Sequence, residues 1–145
     1  MKSENSITVS FPGKSVNEAL ARAIVGAFAS GLDPTMEELA DMKTAVSEAV
    51  SNSIIHGYPE ETGEIRLTCI AYPGRLLEIE VRDWGVGIPD VRKARTPMFT
   101  TGGTERSGMG FTIMEKFMSS LKVESKPGEG TIVTMTRKLS GGTGT

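Results

Sequence analysis

At 145 residues, with 38% hydrophobic and 23% charged side chains, the chain reads as one soluble domain large enough to bury a core. A formal net charge of -2 with no basic stripe gives no reason to expect direct binding of nucleic acid. The single cysteine, Cys69, excludes an internal disulfide and, with the single histidine, His56, a structural zinc site; the polar start Lys2-Ser3-Glu4-Asn5 and the lack of any run near ~20 apolar residues give no signal peptide and no membrane span, so the expected location is cytoplasmic.

Ile7 to Phe11 alternates apolar and polar side chains, which predicts a short strand ended by Pro12-Gly13. Ser15 with Glu18 has the form of a capping box. It opens a helix whose apolar residues Val16, Leu20, Ala23, Ala27 and Phe28 recur at helical spacing. Arg22 falls off that stripe and is expected in solvent. The helix stops at Ser30-Gly31. A second capping box, Thr35 with Glu38, opens the central helix, Thr35 to His56, which spans roughly 33 Å. Leu39, Met42, Val46, Ala49 and Ser53 step by three and four residues and form its core stripe. Glu48, Asn52 and His56 sit at i, i+4 and i+8, on one side of the rod.

Glu64 to Tyr72 and Arg75 to Asp83 alternate around Pro73-Gly74, a β-hairpin with one covered face. Asp83 stands at the strand end, where Gly85 and Gly87 begin. Asp90 to Arg95 reads as one helical turn. Residues 96–107 have no periodicity and hold Pro97, Gly102 and Gly103; a loop of about a dozen residues is usually functional. Gly110 to Met118 is a helix with Phe111, Met114 and Met118 inward. Leu121 to Ser125 and Thr131 to Arg137 are strands around the turn at Pro127-Gly128-Glu129-Gly130, and residues 140–145 are expected to be disordered. Five strands and three main helices joined mostly by tight turns give an α+β two-layer sandwich. Its sheet is mixed and mostly antiparallel, its helices lie on one face, and one domain covers residues 1–139.

Three segments carry chemistry. Asn is a mediocre helix former, so Asn52 in mid-helix asks for a reason, and its amide oxygen suits Mg²⁺; taken alone it reads equally well as a solvated polar residue. Glu48, one turn earlier, can act as a general base in phosphoryl transfer, or be a surface glutamate. Asp83-x-Gly85-x-Gly87 offers a carboxylate to an exocyclic amine such as adenine N6, with glycines that let a flat ring approach; its plainer reading is an ordinary turn. Ser107-Gly108-Met109-Gly110-Phe111 opens a helix whose free N–H groups suit phosphate, beside Arg106. It is neither a Walker A loop nor a dinucleotide fingerprint. The eight methionines read as core filling, His56 as a helix-end residue, and Trp84 either as a shield for the adenine pocket or as simply half-buried.

In order and spacing, Glu48-x-x-x-Asn52, Asp83-x-Gly85-x-Gly87, the loop and Gly108-x-Gly110-Phe111 resemble the GHKL (Bergerat) ATP-binding family, over Thr35 to Met135. A free-standing domain of this size resembles its anti-sigma-factor serine kinases. Leu32 to Met36, Val46 to Val50, His56 to Tyr58, Phe99 to Thr101 and Glu105 to Met114 are similar to the sporulation anti-sigma-F type. That resemblance implies the Bergerat fold, a homodimer, and an ATP-dependent kinase that phosphorylates a serine of an anti-anti-sigma protein and binds an RNA polymerase sigma factor. It implies Asn52 as Mg²⁺ ligand, Glu48 as catalytic base, and Asp83, Gly85, Gly87 and Thr131 around adenine of ATP or ADP. Thr100, Thr101, Arg106, Ser107, Gly108, Met109, Gly110 and Phe111 would form the lid and phosphate loop, with Arg106 near the terminal phosphates. Arg22 would touch the partner. Gly102-Gly103 and the bulk of Trp84 depart from the family pattern. A general-stress sibling, a binding module that transfers nothing, and an ATPase using water remain as rival readings.

Overall fold

Alternation along the hairpin sorts its side chains onto two faces, and the fold follows from covering one of them. In the computed structural model, which describes residues 2–96 and 109–140, β2 (Glu64–Tyr72) buries Ile65, Leu67, Cys69 and Ala71, and β3 (Leu76–Asp83) buries Leu77, Ile79, Val81 and Asp83. β1 (Asn5–Pro12), β4 (Ser120–Lys126) and β5 (Gly130–Lys138) complete a five-stranded sheet of order β1-β2-β3-β5-β4. Every pairing is antiparallel, so the sheet has no parallel pair among the described residues. The chain leaves β3, passes through α3 (Val91–Arg95) and α4 (Gly110–Phe117), makes edge strand β4, and returns as β5 between β4 and β3.

α1 (Val16–Ser30), α2 (Met36–Asn52) and α4 cover the odd-numbered face of the hairpin. Val25, Met42, Val46 and Val50 meet Ile65, Leu67, Leu77, Ile79, Met114 and Met135 in one core. The expected two-layer α+β sandwich is the observed one. No helix among the described residues is long and apolar enough to cross a membrane.

The two helix starts differ. Thr35 and Glu38 form a full capping box: Glu38 N–H donates to Thr35 Oγ1 at 3.0 Å and Thr35 N–H to Glu38 Oε1 at 2.9 Å. Ser15 already has helical backbone angles and makes no side-chain cap: Glu18 N–H donates to the Ser15 carbonyl at 3.1 Å, and the Glu18 carboxylate accepts from Ser47 Oγ on α2 at 3.4 Å. The core stripe of α1 is also not the expected one. Ala21, Val25 and Ala29 are buried, whereas Val16 is 74% and Leu20 43% exposed and Ala23 and Ala27 face solvent. α1 is apolar on both sides, and the side that packs is the one carrying Gly26, where a Cβ would come within 2.7 Å of Lys43 Cε on α2.

The central helix does not run unbroken to His56. It is α-helical to Asn52, and Ser53–Gly57 form a π turn in which Tyr58 N–H donates to Ser53 O at 3.0 Å. The widening brings Gly57 against the end of β3. Past β5, Ser140 is not loose: its N–H donates to Glu38 Oε2 at 2.8 Å and its carbonyl accepts from Arg75. The rest of the expected tail, residues 141–145, lies outside the described residues.

Candidate nucleotide site

The end of β3 is where helix layer and sheet converge on a carboxylate. Asp83 is 3% exposed. Ser53 Oγ donates to its Oδ2 at 2.7 Å, and Gly85 N–H donates to its Oδ1 at 2.9 Å. The glycines here are needed for close approach. A Cβ on Gly57 would lie 2.9 Å from Asp83 Oδ2, and one on Gly85 would collide with the Gly57 carbonyl. Gly87 has φ +80°, and a side chain there would strike the Lys126 carbonyl. Val86 N–H donates to Gly57 O at 2.9 Å, so the turn after β3 is laced to the π turn.

Tyr58 closes this corner. Its hydroxyl donates to Glu64 O at 2.6 Å and accepts from Trp84 N–H at 2.7 Å. Burial, with Asp83 and Glu64 nearby, pushes its phenol above the ordinary value, which keeps it a neutral donor. Thr131 stands opposite Asp83 in the β3–β5 register and is buried, and its hydroxyl lies 2.8 Å from Ser125 Oγ, which in turn accepts from Ile88 N–H. Asp83, Thr131 and Ser125 thus form one polar row across three strands, facing the helices.

Asn52 lies at the last α-helical residue of α2, half-buried, and meets the start of α4. A Cβ on Gly110 would be 3.0 Å from both Asn52 Nδ2 and Oδ1. Met109 caps α4, and its carbonyl accepts from Ile113 N–H at 2.9 Å. Phe111 is buried beneath. Glu48 is half-buried one turn before Asn52. Among the described residues no group of three His, Cys, Asp or Glu side chains is placed to hold a metal ion. α3 is tied to α4 by an Arg95–Glu115 ion pair.

The structure therefore brings together Asn52, Asp83, Gly85, Gly87, Met109, Gly110, Phe111 and Thr131 around the ends of α2, α4 and β3. Thr100, Thr101, Arg106, Ser107 and Gly108 lie outside the described residues, as do Gly102 and Gly103. Arg22 is elsewhere and is not fully exposed: its Nη1 donates to Ser47 Oγ at 2.9 Å, between α1 and α2. His56 is exposed on the π turn. Trp84 does not shield the pocket. It sits on the uncovered face of the sheet, its ring centroid 4.9 Å from the guanidinium carbons of both Arg66 and Arg82. Sequence reasoning missed Ser53 and Tyr58 as site residues. A serine within the core stripe of α2 was the available signal for the first; the second was marked only as part of the segment His56 to Tyr58 in the resemblance, with no role attached.

The histidine kinase-like ATPase domain family matches residues 11–137. An anti-sigma F factor from Thermoanaerobacter sp. (strain X514) is 53% identical over 140 residues, covering 96% of this chain and 97% of that protein. The chain belongs to this anti-sigma F factor family of GHKL ATPase domains. A further anti-sigma F factor from Clostridium acetobutylicum is 50% identical over 138 residues, covering 94% of this chain and 96% of that one, and the Bacillus licheniformis protein is 48% identical over 139 residues. Among solved structures, the RsbU and RsbW domains of a Mycobacterium tuberculosis protein superpose with a TM-score of 0.69 at 19% identity, over 93% of this chain and 32% of that one; at that identity the likeness is one of fold. Membership of the family implies a pocket for ATP and ADP.

Proposed function

We propose that this protein is an anti-sigma factor that holds an RNA polymerase sigma factor of the sporulation sigma-F type and, using Mg-ATP, phosphorylates a serine of its anti-anti-sigma partner. The observation that carries the catalytic part is the contact of the Asn52 carboxamide with Gly110 at the start of α4, one helical turn beyond Glu48. The names of the relatives, at about half identity over almost the whole chain, support the two protein partners.

In this reading Asp83 accepts the exocyclic amine of adenine, while Gly85, Gly87 and Thr131 leave room for the ring. Asn52 holds Mg²⁺ through its amide oxygen. The N–H groups at the start of α4, with Arg106 and the segment Thr100 to Gly108, neutralise phosphate charge. Mg-ATP supplies the phosphoryl group and its compensating cation. Glu48 takes the proton of the incoming serine hydroxyl. Arg22, anchored by Ser47, offers its remaining N–H donors to the partner proteins. The homodimer has surface available at edge strand β1 and α1, where Ile7 is 40%, Val16 74% and Leu20 43% exposed.

The test is transfer of label from γ-labelled ATP to a serine of a cognate anti-anti-sigma protein. Glu48→Ala should lose that transfer and keep ATP binding. Undiminished transfer by the variant would remove Glu48 from the mechanism, and tight ATP binding without any label on the wild type's partner would favour a binding module.

A further inference from the structure

A buried carboxylate is costly unless its lone pairs are met. Asp83 forms no ion pair among the described residues; its partners are two neutral donors, Ser53 Oγ on Oδ2 and Gly85 N–H on Oδ1. The two bonds fix the plane of the carboxylate, because rotation about its Cβ–Cγ bond breaks both. They also fix its chemical character. Each oxygen already accepts, so neither is set to act as a donor, and what remains for a ligand is acceptor capacity. Gly57 walls the Oδ2 side, where even a Cβ would come within 2.9 Å.

The two donors are not equivalent. Gly85 is two residues from Asp83 and follows it in any turn of this kind. Ser53 comes from a different layer of the molecule, 30 residues away, and reaches Oδ2 from the first position of the π turn. Single π turns inside α-helices are frequent at functional sites. Here the turn has an identifiable effect: it ends the helix that carries Glu48 and Asn52 with a hydroxyl aimed at the end of the sheet.

We propose that Ser53 is the specificity-positioning residue of the site: its hydroxyl holds the Asp83 carboxylate as a fixed acceptor, so that purines carrying a 6-amino group are selected over those without one. The inference rests on the reading of Asp83 as the base-binding group. Without the Ser53 hydroxyl the carboxylate can turn, and the amine of the base loses an acceptor in a set position. Phosphate contacts, at the other end of the nucleotide, are untouched.

The experiment compares calorimetric binding of ATP and of purine riboside triphosphate, which is ATP lacking only the 6-amino group, to the full chain and its variants. Ser53→Ala should weaken ATP by about tenfold, the order expected for one hydrogen bond to a charged acceptor, and leave the 6-H analogue unchanged, so that their ratio shrinks. Equal losses for the two nucleotides would mean a structural role only, and no loss would mean that Ser53 is dispensable; either result overturns the proposal. If Ser53→Ala does not fold, Ser53→Cys keeps the size with a weak donor and should reduce the ratio in the same direction. Asp83→Ala separates the two layers of the argument. A collapsed ratio there with an unchanged ratio in the Ser53 variants sinks this proposal alone, whereas an unchanged ratio in Asp83→Ala sinks the base-binding reading itself.

Discussion

The carboxamide of Asn52 and the α-carbon of Gly110 are in such close contact that a Cβ on Gly110 would lie 3.0 Å from both polar atoms of the amide. Two helices that are far apart in sequence thus meet at a carboxamide and a helix start, which the proposed mechanism assigns to Mg²⁺ and phosphate. Gly110→Ala should displace the carboxamide by a few tenths of an ångström. The expected result is Mg-ATP binding weakened roughly tenfold, as for disturbed neighbours of metal ligands. Stability should hold, since Ala is favoured over Gly in a helix by about 0.5–1 kcal/mol. Titration calorimetry with and without Mg²⁺ checks this. Unchanged affinity would argue that Asn52 does not contact the metal.

Glu38 joins the start of the central helix to the last described residue. One oxygen completes the capping box with Thr35 and the other accepts from Ser140 N–H. Burial alone would raise its carboxyl, but the bonds from Ser140 and Thr35 outweigh it, and the net position is below the ordinary 4.5. A group whose folded value is lowered contributes stability above its unfolded value and loses that contribution as the pH falls through the folded one. Glu38→Gln should therefore cost about 1 kcal/mol at neutral pH, the order of one lost hydrogen bond, since an NH2 group replaces one of two accepting oxygens, with the difference from wild type beginning to close as the pH falls below about 4.5. Urea unfolding at pH 7 and pH 3.5 reads both; a gap as large at pH 3.5 as at pH 7 would assign the loss to something other than the charge.

What the sequence made legible depended on how much of each signal was local. The hairpin strands, the Thr35–Glu38 box and the stripe of Met42, Val46 and Ala49 rest on period and short-range chemistry, and all appear where expected. The inward face of α1 did not, because Val16, Leu20, Ala23 and Ala27 recur at helical spacing as Ala21, Val25 and Ala29 also do; which side packs depends on contact with α2, where Gly26 lies against Lys43. The Ser15 cap was lost because Ser15 itself takes helical angles, so that its carbonyl and not its hydroxyl meets the Glu18 N–H, while the Glu18 side chain goes to Ser47. Around the site, Asn52, Asp83 and the glycines could be read from motif order. The roles of Ser53 and Tyr58 could not, even with a serine standing out in the core stripe, since their meaning lies in Asp83 and Trp84, 30 and 26 residues on, and in a π turn that no helix-period pattern signals.

Cys69 sits in the middle of β2, fully buried, and burial pushes its thiol up to about 12. The thiolate is the reactive form, so the native protein should resist alkylation at pH 8 over hours and react within minutes in denaturant. Mass spectrometry after iodoacetamide treatment gives the result. Rapid native labelling would mean that β2 opens readily. Cys69→Ser should cost stability, because it places a stronger hydrogen-bonding group in the same apolar site.

Trp84 tests which face of the sheet is used. Its neighbours two residues back along β3 and across on β2 are Arg82 and Arg66, which face each other in register and would repel without something between them. The indole, 39% exposed, receives both guanidinium groups at 4.9 Å, while its own backbone N–H is held by Tyr58. The ring is therefore part of the open face, whereas Asp83, one residue earlier, points to the helices. Trp84→Ala should lower stability by roughly 1 kcal/mol through the lost cation–π contacts, and leave ATP affinity within about twofold. As the only tryptophan, it also reports directly: added ATP should shift its emission little in the wild type. A tenfold loss of ATP affinity in the variant, or strong quenching of the indole by nucleotide, would place the ring in the pocket after all.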